Sequence, residues 1–230
     1  MSDEPVGGIT EHHLAVTRSA RYCHLAGGGA EVREVWYVLH GYGQLARTFL
    51  EACAPLAGEG RTVVAPEALS RFYATGDAAS HTDARIGASW MTREDREAEI
   101  SDCIAYLDSL RLVVEAPLGP VRSCVLGFSQ GAAAAARWAA LGARPLDRVV
   151  LWAGLVPPDV DLAEHRARFA RTDVVVGVRD DFTAAHAPAH ERRLLDQGIV
   201  APTRWFEGGH RLDSAMLRTL AAADGPEMTR

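Results

Sequence analysis

The sequence predicts an α/β fold in which a mostly parallel central sheet is covered by helices on both faces. Segments with strand character alternate with segments of helical periodicity along the chain, which favours right-handed crossovers and parallel strand pairing. The run V-W-Y-V-L at 35–39 is continuously apolar, as a strand buried on both faces requires. With 230 residues, 48% of them hydrophobic, the chain is long enough for one sizeable core, so we expect a single domain over residues 1–230.

Each element is predicted from its own pattern. Short β-branched or aromatic runs indicate strands, and apolar residues three or four apart indicate helices. One helix has a further signal, because T-R-E-D at 92–95 is typical of a capping box. The predicted strands are 13–24, 32–39, 62–65, the run that leads into Gly127, 148–152, 173–177 and 203–206. The predicted helices are 44–57, the segment that begins at Thr92, 132–141, 183–197 and 211–222. Residues 67–91 and 153–172 show no regular pattern, apart from one candidate helix in the second.

Composition excludes several classes of protein. The formal charge of −6, without a cluster of Lys or Arg, offers no basic surface for nucleic acid. No apolar run is long enough for stable membrane insertion, and the acidic start does not resemble a signal peptide. Four scattered cysteines, Cys23, Cys53, Cys103 and Cys124, indicate free thiols in a reducing compartment. We therefore expect a cytoplasmic protein, and a homodimer is left open.

The most informative segment is G-F-S-Q-G at 127–131. It follows an apolar strand and precedes an alanine-rich helix, which is the context of a nucleophilic serine on a sharp turn. Gly127 and Gly131 leave room for neighbouring backbone, and the turn exposes the Ser129 hydroxyl. The N–H of Gln130, at the start of the helix, points to the place where negative charge develops in acyl transfer. We predict Ser129 as the nucleophile.

A nucleophilic serine needs a base, and the base needs a group that fixes its tautomer. His210 follows a predicted strand and two glycines, so it is expected at the same sheet edge as Ser129; His81 is a weak rival. Asp180 and Asp181 follow the strand at 173–177. We predict Asp180 as the triad acid and Asp181 as the cap of the next helix.

The remaining parts of the site are predicted from two loops. The glycine-rich turn H-G-Y-G at 40–43 can aim the N–H of Tyr42 towards Ser129 as a second oxyanion donor, with His40 orienting the turn. His186 and His190 have the spacing of a metal pair, but Pro188 lies between them. The one candidate for a third ligand, Asp180, already has a role in the triad, so we expect neither a metal nor a cofactor.

The chain order Ser129, Asp180, His210 is that of the α/β-hydrolases. The segments L-H-G-Y-G, G-F-S-Q-G-A, G-V-R-D and G-G-H, with Ser89-Trp90, resemble the phospholipase/carboxylesterase branch, which includes acyl-protein thioesterases. The sequence departs from that branch at Gln44, at Met91-Thr92 and before Gly177, so its acyl and alcohol preferences are not carried over. Lids in this fold are commonly inserted where residues 153–172 lie, and that segment is too short for a separate cap domain.

The resulting expectation is a serine carboxylesterase that cleaves short- to medium-chain esters, with thioesters and lysophospholipids as further candidates. We expect Phe72, Tyr73, Trp90 and Met91 to supply the apolar wall of an open cleft. An alternative for Trp90 is simple packing on the sheet. Two alternatives for the whole chain are a non-catalytic protein that binds a small ligand in the same fold, and a hydrolase of amide, lactone or carbon–carbon bonds.

Overall fold

A computed structural model describes residues 9–29, 31–74 and 84–223, and within them a seven-stranded sheet organises the chain. Its strands are β1 (Tyr22–Leu25), β2 (Glu34–Leu39), β3 (Arg61–Pro66), β6 (Arg122–Phe128), β7 (Arg148–Trp152), β8 (Thr172–Gly177) and β9 (Thr203–Phe206). A separate two-stranded antiparallel hairpin pairs β4 (Ser70–Tyr73) with β5 (Ile86–Ser89).

The helices connect these strands. They are α1 (Ala46–Ala52), α2 (Arg96–Glu115), α3 (Gln130–Leu141), α4 (Ala187–Asp196) and α5 (Ser214–Ala222), with short 3-10 helices at Ala54–Leu56 and Arg166–Phe169. The second 3-10 helix is the one regular element in the described chain between β7 and β8.

The strand order is β1-β3-β2-β6-β7-β8-β9, and only β1 is antiparallel to its neighbour. β1 and β3 lie on one side of β2, and β6 to β9 follow one another on the other side. The order of the strands therefore changes direction between β2 and β6, which is the switch point of the sheet. Loops after the carboxyl ends of strands at such a point form the binding crevice of an open α/β sheet. The predicted fold class, a mostly parallel sheet covered by helices, is confirmed.

Alternation along each strand divides the interior into two cores. Val35, Tyr37 and Leu39 of β2 belong to the core that also contains residues of α2, α3 and α4. Trp36 and Val38 belong to the core on the other side, with residues of α1 and α5. Both sets are fully buried, which explains why residues 35–39 of β2 are apolar without interruption.

The first strand differs from its prediction at 13–24. Tyr22 pairs with Pro66 at the last position of β3, and one further hydrogen bond runs from the Glu67 N–H to the Arg21 carbonyl. Beyond this point the partner strand has ended, and residues 9–20 are exposed. The alternating pattern there has no sheet to join.

Two further predictions are wrong. The helix expected from Thr92 begins at Arg96, because Asp95 has a left-handed φ of 47° and the Thr92 N–H donates to the Glu99 carboxylate instead. Residues 67–91, expected to be irregular, contain β4 and β5. Residues 75–83 of that segment, with His81, lie outside the described residues.

The four cysteines are free, as predicted, and Cys53, Cys103 and Cys124 are buried. Among the residues that the structure describes, no helix combines the length and the apolar character needed to cross a bilayer.

His190 of α4 is buried, and its position makes stability depend on pH. Its Nε2 accepts the Val156 N–H at 3.0 Å, so this nitrogen must be unprotonated, whereas His186 is exposed. Burial, with nearby Arg193, lowers the pKa of His190 to about 4. In the unfolded chain the ring takes up its proton near its ordinary pKa of about 6.5.

The unfolded state therefore binds more protons between these two pKa values, and stability is lost as pH falls through that range. Between about pH 7 and about pH 5 we expect a loss of about 2 kcal/mol from this group alone. Urea unfolding of His190→Gln should show a shallower pH dependence than wild type, and His186→Gln should match wild type. Equal slopes for wild type and His190→Gln would contradict the assignment.

Candidate active site

Ser129 lies on a strained turn between β6 and α3. β6 ends at Phe128 and α3 begins at Gln130, so the whole reversal falls on Ser129, whose φ of 55° and ψ of −116° are rare for a residue with a side chain. The Ser129 N–H donates to the Trp152 carbonyl of β7 at 2.8 Å, which holds the turn against the next strand.

The turn is sterically possible because the flanking residues, Gly127 and Gly131, have no side chains. A Cβ at Gly131 would overlap the Leu39 carbonyl oxygen of β2, and a Cβ at Gly127 would overlap the Gly131 carbonyl oxygen. Any side chain at either position would push α3 away from the sheet. The pattern G-F-S-Q-G is thus explained by backbone packing.

Ser129, His210 and Asp180 form a continuous hydrogen-bonded row. His210 Nε2 lies 2.8 Å from Ser129 Oγ, and His210 Nδ1 lies 3.0 Å from Asp180 Oδ2. The imidazole is packed between the Phe128 and Phe182 rings, each with its centroid 5.0 Å away. This is the geometry in which a serine hydroxyl can pass its proton to a histidine whose tautomer a carboxylate holds.

Main-chain pairing brings the two loops of the row together. The Val178 N–H donates to the Phe206 carbonyl at 3.0 Å, and the Arg179 N–H donates to the Gly208 carbonyl at 2.8 Å. The ladder between β8 and β9 therefore continues past both strand ends and places Asp180 opposite His210. The Trp152 indole N–H donates to the Arg211 carbonyl at 3.0 Å and so anchors the His210 loop to β7.

Asp180 also performs the local task predicted for its neighbour. Its Oδ1 accepts the N–H groups of Phe182 and Thr183 at 2.9 and 3.1 Å, while the Asp181 side chain is exposed. Burial alone would raise the pKa of Asp180, but the hydrogen bonds from Thr183, His210 and Phe182 outweigh it and hold this pKa below its ordinary value. The prediction that Asp181 caps this segment is wrong, and one carboxylate serves both functions.

The predicted oxyanion donors are Tyr42, which follows β2, and Gln130, which follows β6 and Ser129. The two strands are neighbours in the sheet. Gln130 is the first residue of α3, so its N–H has no acceptor within the helix. The Gly41 carbonyl is held by His40 Nδ1 at 2.8 Å and accepts the Gln44 N–H at 3.2 Å. In a trans peptide the N–H points away from the carbonyl, so these two bonds set the direction of the Tyr42 N–H.

A second set of contacts, which the sequence did not reveal, supports the same loop from both sides. The Gln130 side chain accepts the Trp90 N–H at 3.1 Å and donates to the Met91 carbonyl at 2.9 Å. The Trp90 indole N–H donates to the His40 carbonyl at 2.7 Å. The hairpin adds a bond from the Gly43 N–H to the Ala88 carbonyl at 2.9 Å. The only signal in the sequence was the Ser89-Trp90 pair.

The four residues predicted as a substrate wall do not meet at one surface. Trp90 is 5% exposed and packs in the core, as its alternative interpretation held, and its role as a substrate wall stays a prediction. Met91 contacts the Arg137 guanidinium near α3. Phe72 stacks on Tyr42 with ring centroids 5.0 Å apart, beside the oxyanion loop, and Tyr73 is exposed.

A cleft of about 760 Å³ adjoins His210 instead. Its apolar surface comes from residues for which the sequence gave no indication, because they are scattered over four segments: Leu45, Phe49, Ile86, Phe128 and Leu212.

The fold and the site define a serine hydrolase with the α/β-hydrolase fold. A family model described as Serine hydrolase (FSH1) matches residues 35–212, more than half of the chain, and the protein belongs to this family. The match confirms the hydrolase class and the fold family inferred from the sequence.

Solved structures agree on the fold. A carboxylesterase from Mesorhizobium loti is 22% identical, with 90% of this chain and 95% of that chain covered and a TM-score of 0.66. Zea mays acyl-protein thioesterase 2 is 18% identical, with 89% and 97% covered and a TM-score of 0.68. Esterase PE8 is 22% identical, with 89% and 97% covered and a TM-score of 0.65. No curated protein matches the chain in sequence.

The two neighbouring aspartates provide a test of the row. Asp180→Asn should lower kcat by about 10³- to 10⁴-fold, since the amide no longer selects the required His210 tautomer. Its Oδ1 keeps the capping bonds, so the melting temperature should change little. Asp181→Asn is the matched control and should retain wild-type kcat. Comparable losses at both positions, or a larger loss at Asp181, would contradict the assignment.

Proposed function

We propose that the protein is a serine carboxylesterase that hydrolyses short- to medium-chain carboxylic esters through an acyl-enzyme on Ser129. The observation that carries this proposal is the row from Ser129 Oγ through His210 to Asp180, with both contacts at hydrogen-bond distance. Thioesters and lysophospholipids also carry an acyl carbonyl carbon that a serine hydroxyl can attack, and we include them as further substrate candidates.

In the first step Ser129 Oγ attacks the ester carbonyl carbon while His210 Nε2 takes the hydroxyl proton. Asp180, whose pKa is lowered, stays ionised and stabilises the imidazolium. The carbonyl oxygen becomes an oxyanion within reach of the Tyr42 and Gln130 N–H groups. As the tetrahedral intermediate collapses, the bond to the leaving group breaks and His210 returns the proton to the departing oxygen.

In the second step water replaces the alcohol. His210 takes a proton from the water as its oxygen attacks the acyl carbon, and then protonates Ser129 Oγ as the carboxylic acid leaves. No step requires a metal or an organic cofactor.

A ligand-binding protein without catalysis is the alternative from another class. Membership of a serine hydrolase family and the aligned row of three polar side chains both favour catalysis. A chain that only bound a ligand would need none of the three hydrogen bonded in this order.

Ser129→Ala is the direct test. The variant should lose turnover of para-nitrophenyl butyrate by a factor on the order of 10³ or more, and should lose covalent labelling by a fluorophosphonate probe. Ser109→Ala, which changes an exposed serine on α2, should keep both. Residual turnover above about a tenth of wild type in Ser129→Ala would exclude Ser129 as the nucleophile.

His40 is a positioning residue in this proposal. It is fully buried, its Nδ1 lies 2.8 Å from the Gly41 carbonyl oxygen, and its Nε2 accepts the Ala68 N–H at 3.1 Å, which requires the neutral ring. Burial lowers the pKa of His40, against the opposing effects of the Gly41 carbonyl and Glu67. The bond from Nδ1 holds the Gly41–Tyr42 peptide in the orientation that presents the Tyr42 N–H.

Two substitutions separate the bonds of this ring. His40→Asn places an amide NH₂ where Nδ1 was and keeps the donor to Gly41, whereas His40→Gln places its oxygen where Nε2 was and keeps only the acceptor for Ala68. We expect kcat to fall by about 10²-fold in His40→Gln with little change in KM, and to be largely retained in His40→Asn. Steady-state kinetics with thermal melting checks this. If the two variants lose kcat equally, the orienting bond is not the reason for the loss.

A further inference from the structure

Among the described residues, the charged side chains that line the cleft beside His210 are positive. It lies between the loop after β2, the start of α1 and the residues that follow His210. Two arginines, Arg85 and Arg211, line it, and no Asp or Glu does so among the described residues. The chain as a whole has a net charge of −6. A positive lining in an acidic protein is a local feature that raises the concentration of anions near the site.

Main-chain contacts fix the position of both guanidinium groups. Arg85 donates from Nη2 to the Gly43 carbonyl at 3.2 Å. Arg211 donates to the Leu212 and Glu207 carbonyls at 3.0 and 3.1 Å, and its guanidinium lies 5.6 Å from the centre of the Phe206 ring. In the part of the chain that the structure describes, Arg211 forms an ion pair with Asp213 at 3.6 Å. The Asp213 carboxylate also caps α5 and does not line the cleft. The two arginines therefore occupy defined places at the cleft.

The surface of the cleft between these charges is apolar. Phe49 and Phe128 are almost fully buried, and Leu45, Ile86 and Leu212 extend the same surface. An occupant that matches this lining has an apolar body and an anionic end. A guanidinium is well suited to such an end, because its planar donors match the two oxygens of a carboxylate.

The position of the cleft relative to the triad indicates which half of an ester it holds. His210 lines the cleft, whereas Ser129 and the donors Tyr42 and Gln130 do not. Histidine returns its proton to the departing oxygen, so the leaving group must lie on the His210 side. The cleft is thus on the leaving-group side of the reacting carbonyl.

We propose that Arg85 and Arg211 are specificity-determining residues for esters whose leaving group carries an anionic end on an apolar body. This inference rests on the esterase function proposed above and adds a substrate class to it. The anion is bound at the mouth of the cleft, and the apolar body contacts Phe49 and Phe128 on its way to the ester oxygen.

Two butyrate esters test the proposal, one of para-hydroxyphenylpropionic acid and one of its primary amide. The two-carbon spacer insulates the phenol from the end group, so the esters differ in charge and hardly in intrinsic reactivity. We expect wild-type kcat/KM to be about tenfold higher for the carboxylate, with the preference decreasing at high ionic strength. Arg85→Gln and Arg211→Gln should each lower the ratio of the two kcat/KM values by about threefold. Arg47→Gln, an exposed arginine of α1 outside the cleft, should leave the ratio unchanged.

The outcomes separate this inference from the function it rests on. Hydrolysis of both esters at equal kcat/KM would overturn the anion preference and leave the esterase intact. A preference that both arginine variants retain would also overturn it. So would a preference seen only with the acid on the acyl side, measured as mono-para-nitrophenyl glutarate against para-nitrophenyl butyrate. Failure to hydrolyse any of these esters would instead contradict the esterase function.

Discussion

The close approach of α3 to the carboxyl end of β2 is the constraint on which the site depends. The Gly131 Cα faces the Leu39 carbonyl with no space for a Cβ, and the Gly127 Cα faces the Gly131 carbonyl in the same way. Because of this contact, the chain reverses direction at Ser129 alone. The hydrogen bond from the Ser129 N–H to the Trp152 carbonyl stabilises this turn. A strained φ at Ser129 persists because three adjacent strands, β2, β6 and β7, determine it together.

The same approach brings the loop after β2 next to the start of α3, and a buried polar network sets the distance between them. Trp90 links the two sides, since its main-chain N–H bonds to Gln130 and its indole N–H bonds to the His40 carbonyl. His40 then fixes the Gly41 carbonyl. Loss of one hydrogen bond in a buried network costs more free energy than loss of an exposed one, because the polar group left behind cannot bond to water instead. The residues G-F-S-Q-G, Ser89-Trp90 and H-G-Y-G therefore act as one structural unit.

The parallel strands and the triad candidates could be predicted because short-range patterns determine them. The run 35–39 is apolar on both faces because helices cover both faces of the sheet. Ser129 lies between Phe128 and Gln130 with a glycine on each side, because neighbouring main chain packs against Gly127 and Gly131. Other features depend on distant partners. The strand at 13–24 shortens because β3 ends at Pro66, and Trp90 looks like a pocket residue until the core cluster around it is known. Whether Asp180 or Asp181 caps the turn depends on the position of His210, which is set by the pairing of β8 with β9.

The substrate wall was the least predictable part. The cleft beside His210 is formed by α1, the hairpin, Phe128 and the residues that precede α5, which meet only in the folded chain. No periodicity links Phe49 to Leu212. The hairpin was not predicted because β5 reads Ile-Gly-Ala-Ser, where the side chains give little indication of strand pairing. β5 pairs with β4, and the Gly43 N–H donates to the Ala88 carbonyl.

The central claim is that Ser129 forms a covalent acyl-enzyme. Its most direct test is rapid quenching of the wild-type protein with para-nitrophenyl butyrate during turnover, followed by intact-mass measurement and peptide mapping. The account predicts a single butyryl adduct on the peptide that contains Ser129, formed within the burst of nitrophenol release and lost at the rate of steady-state turnover. A butyryl adduct on a different residue, or steady turnover with no adduct under conditions that slow deacylation, would contradict it.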